Sequence, residues 1–170
     1  NPLPSYGLLT VDSITYEIHF DHTLAPEQVA SKLLKRNLSD LAAMGGLPRG
    51  ALTAFLAGQN LAYDWFIRFY RGLAQCSAEY QCPILGGDLS CVADHTLHIT
   101  LTAYGDAKKP IQRGPAECGD QIWVTGALGG SILNKHFSFR PRLDEGAWLA
   151  QQENIKAMMD ISDGLGKDLP

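Results

Sequence analysis

The chain has 170 residues, 45% hydrophobic and 19% charged, with 14 basic and 18 acidic residues and a formal charge of −4. That composition reads as an ordinary globular protein with one large domain, or one domain and part of a second. It argues against disorder and against a nucleic-acid backbone as main partner, which calls for a basic surface. No apolar run approaches the roughly 20 residues that span a bilayer.

In chain order, Tyr6 to Asp12 is a short apolar, β-rich run ending in an acid. Ser13 to Phe20 alternates Ile14, Tyr16, Ile18 and Phe20 with polar residues, which predicts a half-buried strand. Pro26 suits the first turn of a helix. Val29, Leu33, Leu34, Leu38 and Leu41 stripe that helix to about Met44, and Gly45-Gly46 stops it. A strand over Ala51 to Ala57 follows, and then an amphipathic helix from Leu61 to about Tyr80. Pro83 to Leu85 forms a short strand running into Gly86-Gly87-Asp88, and Leu97 to Tyr104 alternates as another strand. Residues 108–119 are polar with two prolines and read as a linker. Gln121 to Thr125 predicts a strand leading to a glycine-rich turn, Asp144 to about Met158 a helix, and Trp65 and Trp123 core positions. The fold class is α+β, with one domain over 1–108 and the linker and start of a second over 109–170. Both termini read as cut.

The chemistry lies in the acids and glycines. Asp12, Asp40, Asp88, Asp160 and Asp163 each adjoin apolar sequence, where an unpaired carboxylate is costly to bury. A shared divalent cation would offset that cost, and Mg²⁺ favours carboxylate oxygens. Asn37 and Asp40 are three apart and share a helix face. Gly86-Gly87 lets backbone approach a ligand closely, and Gly126, Gly129 and Gly130 follow another strand. Together these suggest a metal–nucleotide site. The Walker G-x-x-x-x-G-K-[ST] loop and the H-R-D and D-F-G motifs of protein kinases are absent. Simpler roles stand beside these: Asp12 as a turn acid, Gly-Gly-Asp as a hairpin, Ser162 or Asp163 as a helix cap, His19 as a satisfied strand histidine, Arg113 as a solvated charge. His136, Arg140 and Arg142 read as a solvated loop or an anion contact. Cys76, Cys82, Cys91 and Cys118 form no C-x-x-C pair and suit free thiols in a reducing, cytoplasmic setting.

Taken in order, Thr10, Asp12, His19 and Phe20, the run N-L-S-D-L-A-A-M-G at 37–45, G-G-D at 86–88, Arg113 with Gly119-Asp120, T-G-x-L-G-G-S at 125–131, R-P-R-L at 140–143 and D-I-S-D-G-L at 160–165 resemble the thiamine-monophosphate kinase family. That family shares a superfamily with aminoimidazole-ribonucleotide synthase and selenophosphate synthase. The resemblance implies an N-terminal mixed α/β domain of the aminoimidazole-ribonucleotide-synthase type, which pairs in a homodimer as a β-barrel, and a C-terminal α/β domain. It implies transfer of the γ-phosphoryl of ATP to thiamine monophosphate, without nucleic acid or membrane. Thr10, Asp12, Asp40, Asp88, Asp160 and Asp163 would bind Mg²⁺, with Asp40, Asp88 and Asp160 closest to catalysis. Gly87, Asp88, Arg113 and Ser162 would contact ATP, and His19 would face the substrate. Val11 departs from the family, which usually has Thr there. Alternatives are another ATP-dependent synthase of the superfamily, or a non-catalytic nucleotide-binding relative.

Overall fold

In the computed structural model the described residues are 5–93, 95–133 and 135–169; the terminal residues 1–4 and 170 lie outside them, and so does the side chain of Ile132. Four strands form one mixed sheet: β1 (Tyr6–Thr15), β2 (Leu47–Gly58), β3 (Ile84–Val92) and β4 (Leu97–Ala107), in the order β1-β4-β2-β3. β4 is antiparallel to both β1 and β2, and β2 and β3 run parallel. The β2–β3 crossover is helix α2 (Tyr63–Glu79), as a parallel connection requires. Helix α1 (Pro26–Ala43) links β1 to β2.

Both helices pack on one face of the sheet. Pro26 opens α1, and the Gln28 side chain accepts a hydrogen bond from the Ala25 N–H at 3.2 Å. At the other end Gly45 takes φ 70°, a left-handed conformation that glycine adopts without strain. Val29, Leu33, Leu34, Leu38 and Leu41 of α1 are buried against Ile14, Ala51, Phe55, Ile99 and Leu101 of the sheet. Each such side chain contributes about 1.5–3 kcal/mol on burial. Phe55 is ringed by Trp65, Phe66, Phe69 and Tyr70 of α2.

The opposite face is open. Alternation puts Leu9 (77% exposed), Val11 (62%), Leu52 and Tyr104 there, with Ser13, Thr100 and Thr102.

Several expectations need correction. The strand expected over Ser13 to Phe20 ends at Thr15: the chain turns through Glu17 at φ 65°, and Tyr16 meets Phe20 in an isolated bridge. The short strand before Gly-Gly-Asp continues through it to Val92. Gln121 to Thr125 forms no strand, because no neighbouring strand takes up its backbone groups, and Trp123 is 84% exposed instead of in the core. The helix expected from Asp144 to Met158 is α4 (Leu143–Leu149), after the short α3 (Lys135–Ser138). It stops where the Gln151 and Gln152 side-chain amides donate to the carbonyls of Ala147 and Trp148, which a longer helix would need. A last turn, α5, covers Leu165–Asp168.

Candidate functional site

Strand β1 and helix α1 set the centre of the site. Thr10 and Asp12 sit on the helix-facing side of β1, two residues apart in a period-2 element. The Thr10 hydroxyl donates to Asp40 Oδ2 on the last turns of α1. One turn earlier, Arg36 reaches back: its Nη2 donates to Asp12 Oδ1 at 2.7 Å and its Nη1 to the Ser13 carbonyl at 3.1 Å. Asn37, on the same stretch, is fully buried; its Nδ2 donates to the Leu33 carbonyl at 3.0 Å while its Oδ1 has no partner among the described residues.

Asp160 joins this pair from the far end of the chain. Asp12, Asp40 and Asp160 are all half-buried, and all three carboxyls are pushed above the ordinary carboxylate range, in each case chiefly by burial. They also raise one another: Asp160 acts on Asp12, Asp12 on Asp40, and Asp40 on Asp160. Arg36 lowers Asp12 and Asp40, the Thr10 hydroxyl lowers Asp40, and Arg113 lowers Asp40 and Asp160. Arg113 is itself exposed.

Among the described residues, no three carboxylates, imidazoles or thiolates converge closely enough to grip one metal ion. The donor set nevertheless fits Mg²⁺. It is all oxygen, it carries more negative charge than Arg36 balances, and Mg²⁺ commonly takes one or two carboxylates and completes its shell with water and phosphate oxygens.

Asp88 stands apart. Gly87 packs so tightly on β2 that a Cβ there would lie 2.0 Å from the Thr53 carbonyl oxygen. Asp88 pairs with Ala54 in the register, lines a depression of about 340 Å³ with Leu52, Thr100 and Thr102, and accepts a hydrogen bond from Ser90 at 2.9 Å. This is the open face, on the edge strand opposite β1, three strand spacings or roughly 14 Å away. Within one chain, Asp88 does not meet Asp12, Asp40 and Asp160.

The Asp160–Gly164 segment is a loop leading into α5. The backbone N–H groups of Ser162, Asp163 and Gly164 all donate to Asp168 Oδ2, at 2.9, 3.0 and 3.0 Å. Ser162 and Asp163 are exposed.

His19 follows β1. Its Nδ1 accepts a hydrogen bond from the Thr15 N–H at 3.0 Å, so its other ring nitrogen carries the proton in the neutral ring. Burial first, then Arg36 and Lys32, lower its pKa. Sequence reasoning missed Lys32 and Arg36. The signal was there, since two basic residues four apart interrupt the polar side of a helix bearing Asp40. Arg140 and Arg142 pair with Asp144 and Glu145 at the surface, and Asp120 with Lys156.

Among the described residues, no helix is long and apolar enough to cross a membrane. Residues 5–107 match the family model "AIR synthase related protein, N-terminal domain". The thiamine-monophosphate kinase of Rhodopirellula baltica is 40% identical over 141 residues, covering 83% of this chain and 44% of that protein. That of Synechococcus elongatus is 32% identical over 184 residues, covering 93% and 56%. The crystal structure of thiamine monophosphate kinase (ThiL) from Aquifex aeolicus superposes with a TM-score of 0.86 at 29% identity, covering 94% of this chain and 60% of that one. AaThiL complexed with AMPPCP and TMP gives 0.85 at 27% identity, covering 95% and 57%. The chain thus spans about half the length of the curated relatives it matches. With its mixed sheet, its two covering helices and its acids on β1 and α1, the chain belongs to the family of AIR synthase related proteins.

Proposed function

We propose that the protein containing this chain is a thiamine-monophosphate kinase, which transfers the γ-phosphoryl of ATP to the phosphate of thiamine monophosphate. The observation that carries this reading is the placing of Thr10 and Asp12 on β1 against Asp40 and Arg36 on α1, with Asp160 near enough to raise its fellow carboxyls. Such a grouping disfavours its own charged state, and a polyphosphate carried by divalent cations relieves it. The relatives' names, and the AMPPCP and TMP held by AaThiL, supply the nucleotide and the acceptor class.

In the transfer an oxygen of the acceptor phosphate forms a bond to the γ-phosphorus, the bond to the β,γ-bridging oxygen breaks, and ADP leaves. The acceptor is already anionic, so no general base is required, and catalysis rests on positioning and charge neutralisation. Asp12, Asp40 and Asp160, together with Thr10, Asp88 and Asp163, would hold Mg²⁺, which would neutralise the phosphate oxygens. Arg113 would stabilise charge on the transferring group. Gly87, Asp88 and Ser162 would contact the nucleotide, and His19 would donate to the acceptor.

Asp88 sits on the wrong edge and face to join these groups within one chain. A homodimer through the open face would bury Leu9, Val11, Leu52 and Tyr104 and set Asp88 at the interface between protomers. Residues 1–108 would form the dimerising nucleotide domain and 109–170 the linker and start of the next. The four free thiols, two of them exposed, suit the cytoplasm.

The test incubates the full-length parent with ATP, Mg²⁺ and thiamine monophosphate and follows thiamine diphosphate by chromatography. Metal-dependent product, abolished by EDTA, is expected. Absence of product with intact ATP binding would overturn the acceptor assignment.

A further inference from the structure

Lys32 is the unexplained group of this site. Its side chain projects from the middle of α1 and is 4% exposed, yet among the described residues its ammonium touches no carboxylate. Instead Nζ donates to the His19 carbonyl at 2.7 Å, lies 2.9 Å from His136 Nε2, and sits 4.8 Å from the centre of the Phe137 ring. A lysine cannot accept a hydrogen bond, so His136 accepts through Nε2 and is held neutral. Burial and the neighbouring Arg36 lower the lysine's pKa to about 8.

A buried ammonium satisfied by a carbonyl, an imidazole and an aromatic face is a costly way to fill this space, since a Met or Leu would pack there without desolvating a charge. What the ammonium does provide is direction. The Thr15–His19 turn is tight, closed by the His19 N–H donating to the Thr15 carbonyl at 2.9 Å and carrying Glu17 in a left-handed conformation. Lys32 seizes the carbonyl at the end of that turn while the Thr15 N–H holds the His19 ring nitrogen. The same ammonium takes His136 and Phe137 of α3, so the segment beyond the sheet is tied to the turn that carries the histidine.

We infer that Lys32 is a positioning residue: by holding the His19 carbonyl it fixes the turn in which the Thr15 N–H sets the His19 ring as a donor toward the acceptor, and it couples that turn to the docking of residues 135–138. The acceptor part of this inference rests on the kinase reading proposed above.

The experiment uses the full-length parent, with Lys32→Met as the isosteric apolar replacement and Lys32→Arg as the variant that can still reach the His19 carbonyl. Spectra of ¹⁵N-labelled histidine give the His19 tautomer, and steady-state kinetics give separate KM values for thiamine monophosphate and ATP. For Lys32→Met the expected result is a His19 ring averaged between tautomers, an acceptor KM raised at least about tenfold, an ATP KM changed less than about twofold, and a Tm no lower than wild type. Lys32→Arg recovers most of the acceptor KM. An unchanged His19 tautomer in Lys32→Met overturns the inference, and so does a rise in both KM values with a falling Tm, which is the mark of a purely structural lysine. If wild type makes no thiamine diphosphate, the kinase reading fails, and the tautomer still decides whether Lys32 sets His19. Should Lys32→Met not fold, His136→Leu, which removes one acceptor of the ammonium, is measured by the same readouts and overturns the inference if His19 is unmoved.

Discussion

The guanidinium of Arg36 on α1 holds the Asp12 carboxylate on β1 at 2.7 Å, with both side chains only partly exposed, and this ion pair keeps the acidic face compatible with folding. Burial and Asp160 push Asp12 toward its protonated form, and Arg36 opposes them. Arg36→Met should therefore destabilise the protein by about 1–2 kcal/mol, more than an exposed pair and less than a fully buried one. Adding Asp12→Asn removes the stranded carboxylate and should recover most of the loss. Urea denaturation of the four members of this double-mutant cycle measures it; an additive pair of losses would show that the two residues act independently.

Asp40 makes the same balance visible as a trade between stability and activity. Its pKa is raised by burial and by Asp12, so the folded state binds the proton more tightly than the unfolded chain does. A raised carboxyl favours folding at low pH, and that contribution is lost as pH rises from the ordinary value of 3.8 through the folded-state value. Metal-free protein at pH 7 thus carries a penalty, which Asp40→Asn removes. The variant should melt higher than wild type in EDTA, and its kcat should fall by at least about 100-fold in Mg²⁺ if Asp40 holds the ion. Wild-type turnover in Asp40→Asn would dismiss Asp40 as a metal residue.

Lys32 carries the opposite sign. Its pKa is about 8 in the fold against 10.5 for the free side chain, so between these values the unfolded chain binds more protons and stability rises with pH. Below pH 8 the penalty is complete. Lys32→Met should gain Tm relative to wild type at pH 7, and the gap should narrow as pH approaches 10. A gap that does not change with pH would mean that the ammonium is not desolvated.

How far these relationships were legible in the sequence depends on whether partners were local. The stripes of α1 and α2 and the alternation of β4 are set by residues a turn or two apart, and they appear in the structure nearly as read. Gln121 to Thr125 is equally rich in β-forming residues, but strands need partners that no local pattern supplies. Thr10, Asp12 and Asp40 could be linked through their motif, and Asp12, Asp40 and Asp160 lie near enough to raise one another's pKa. The separation of Asp88 from them could not be read, because it follows from strand order and face. Lys32 escaped notice because a basic residue on a helix ordinarily faces solvent, and the groups that meet it, the His19 carbonyl and His136, are distant in sequence.

Gly87 joins fold and site most tightly. Its missing side chain lets β3 lie against β2 where a Cβ would sit 2.0 Å from the Thr53 carbonyl oxygen and 2.7 Å from its hydroxyl. The obstacle is backbone, which cannot swing aside as a flexible side chain would. Gly87→Ala should force the two strands apart locally, costing about 1–3 kcal/mol. Because β3 is an edge strand paired on one side only, the adjustment should fall on β3 itself and carry Asp88 with it, leaving β2, Phe55 and the aromatic core in place. Amide hydrogen exchange should show lost protection along residues 84–92 and retained protection in β4. If Asp88 contacts the nucleotide, ATP affinity should fall about tenfold or more while the far-UV spectrum stays native. Full ATP affinity alongside a loosened β3 would remove Asp88 from the nucleotide site and leave Gly87 a purely structural glycine.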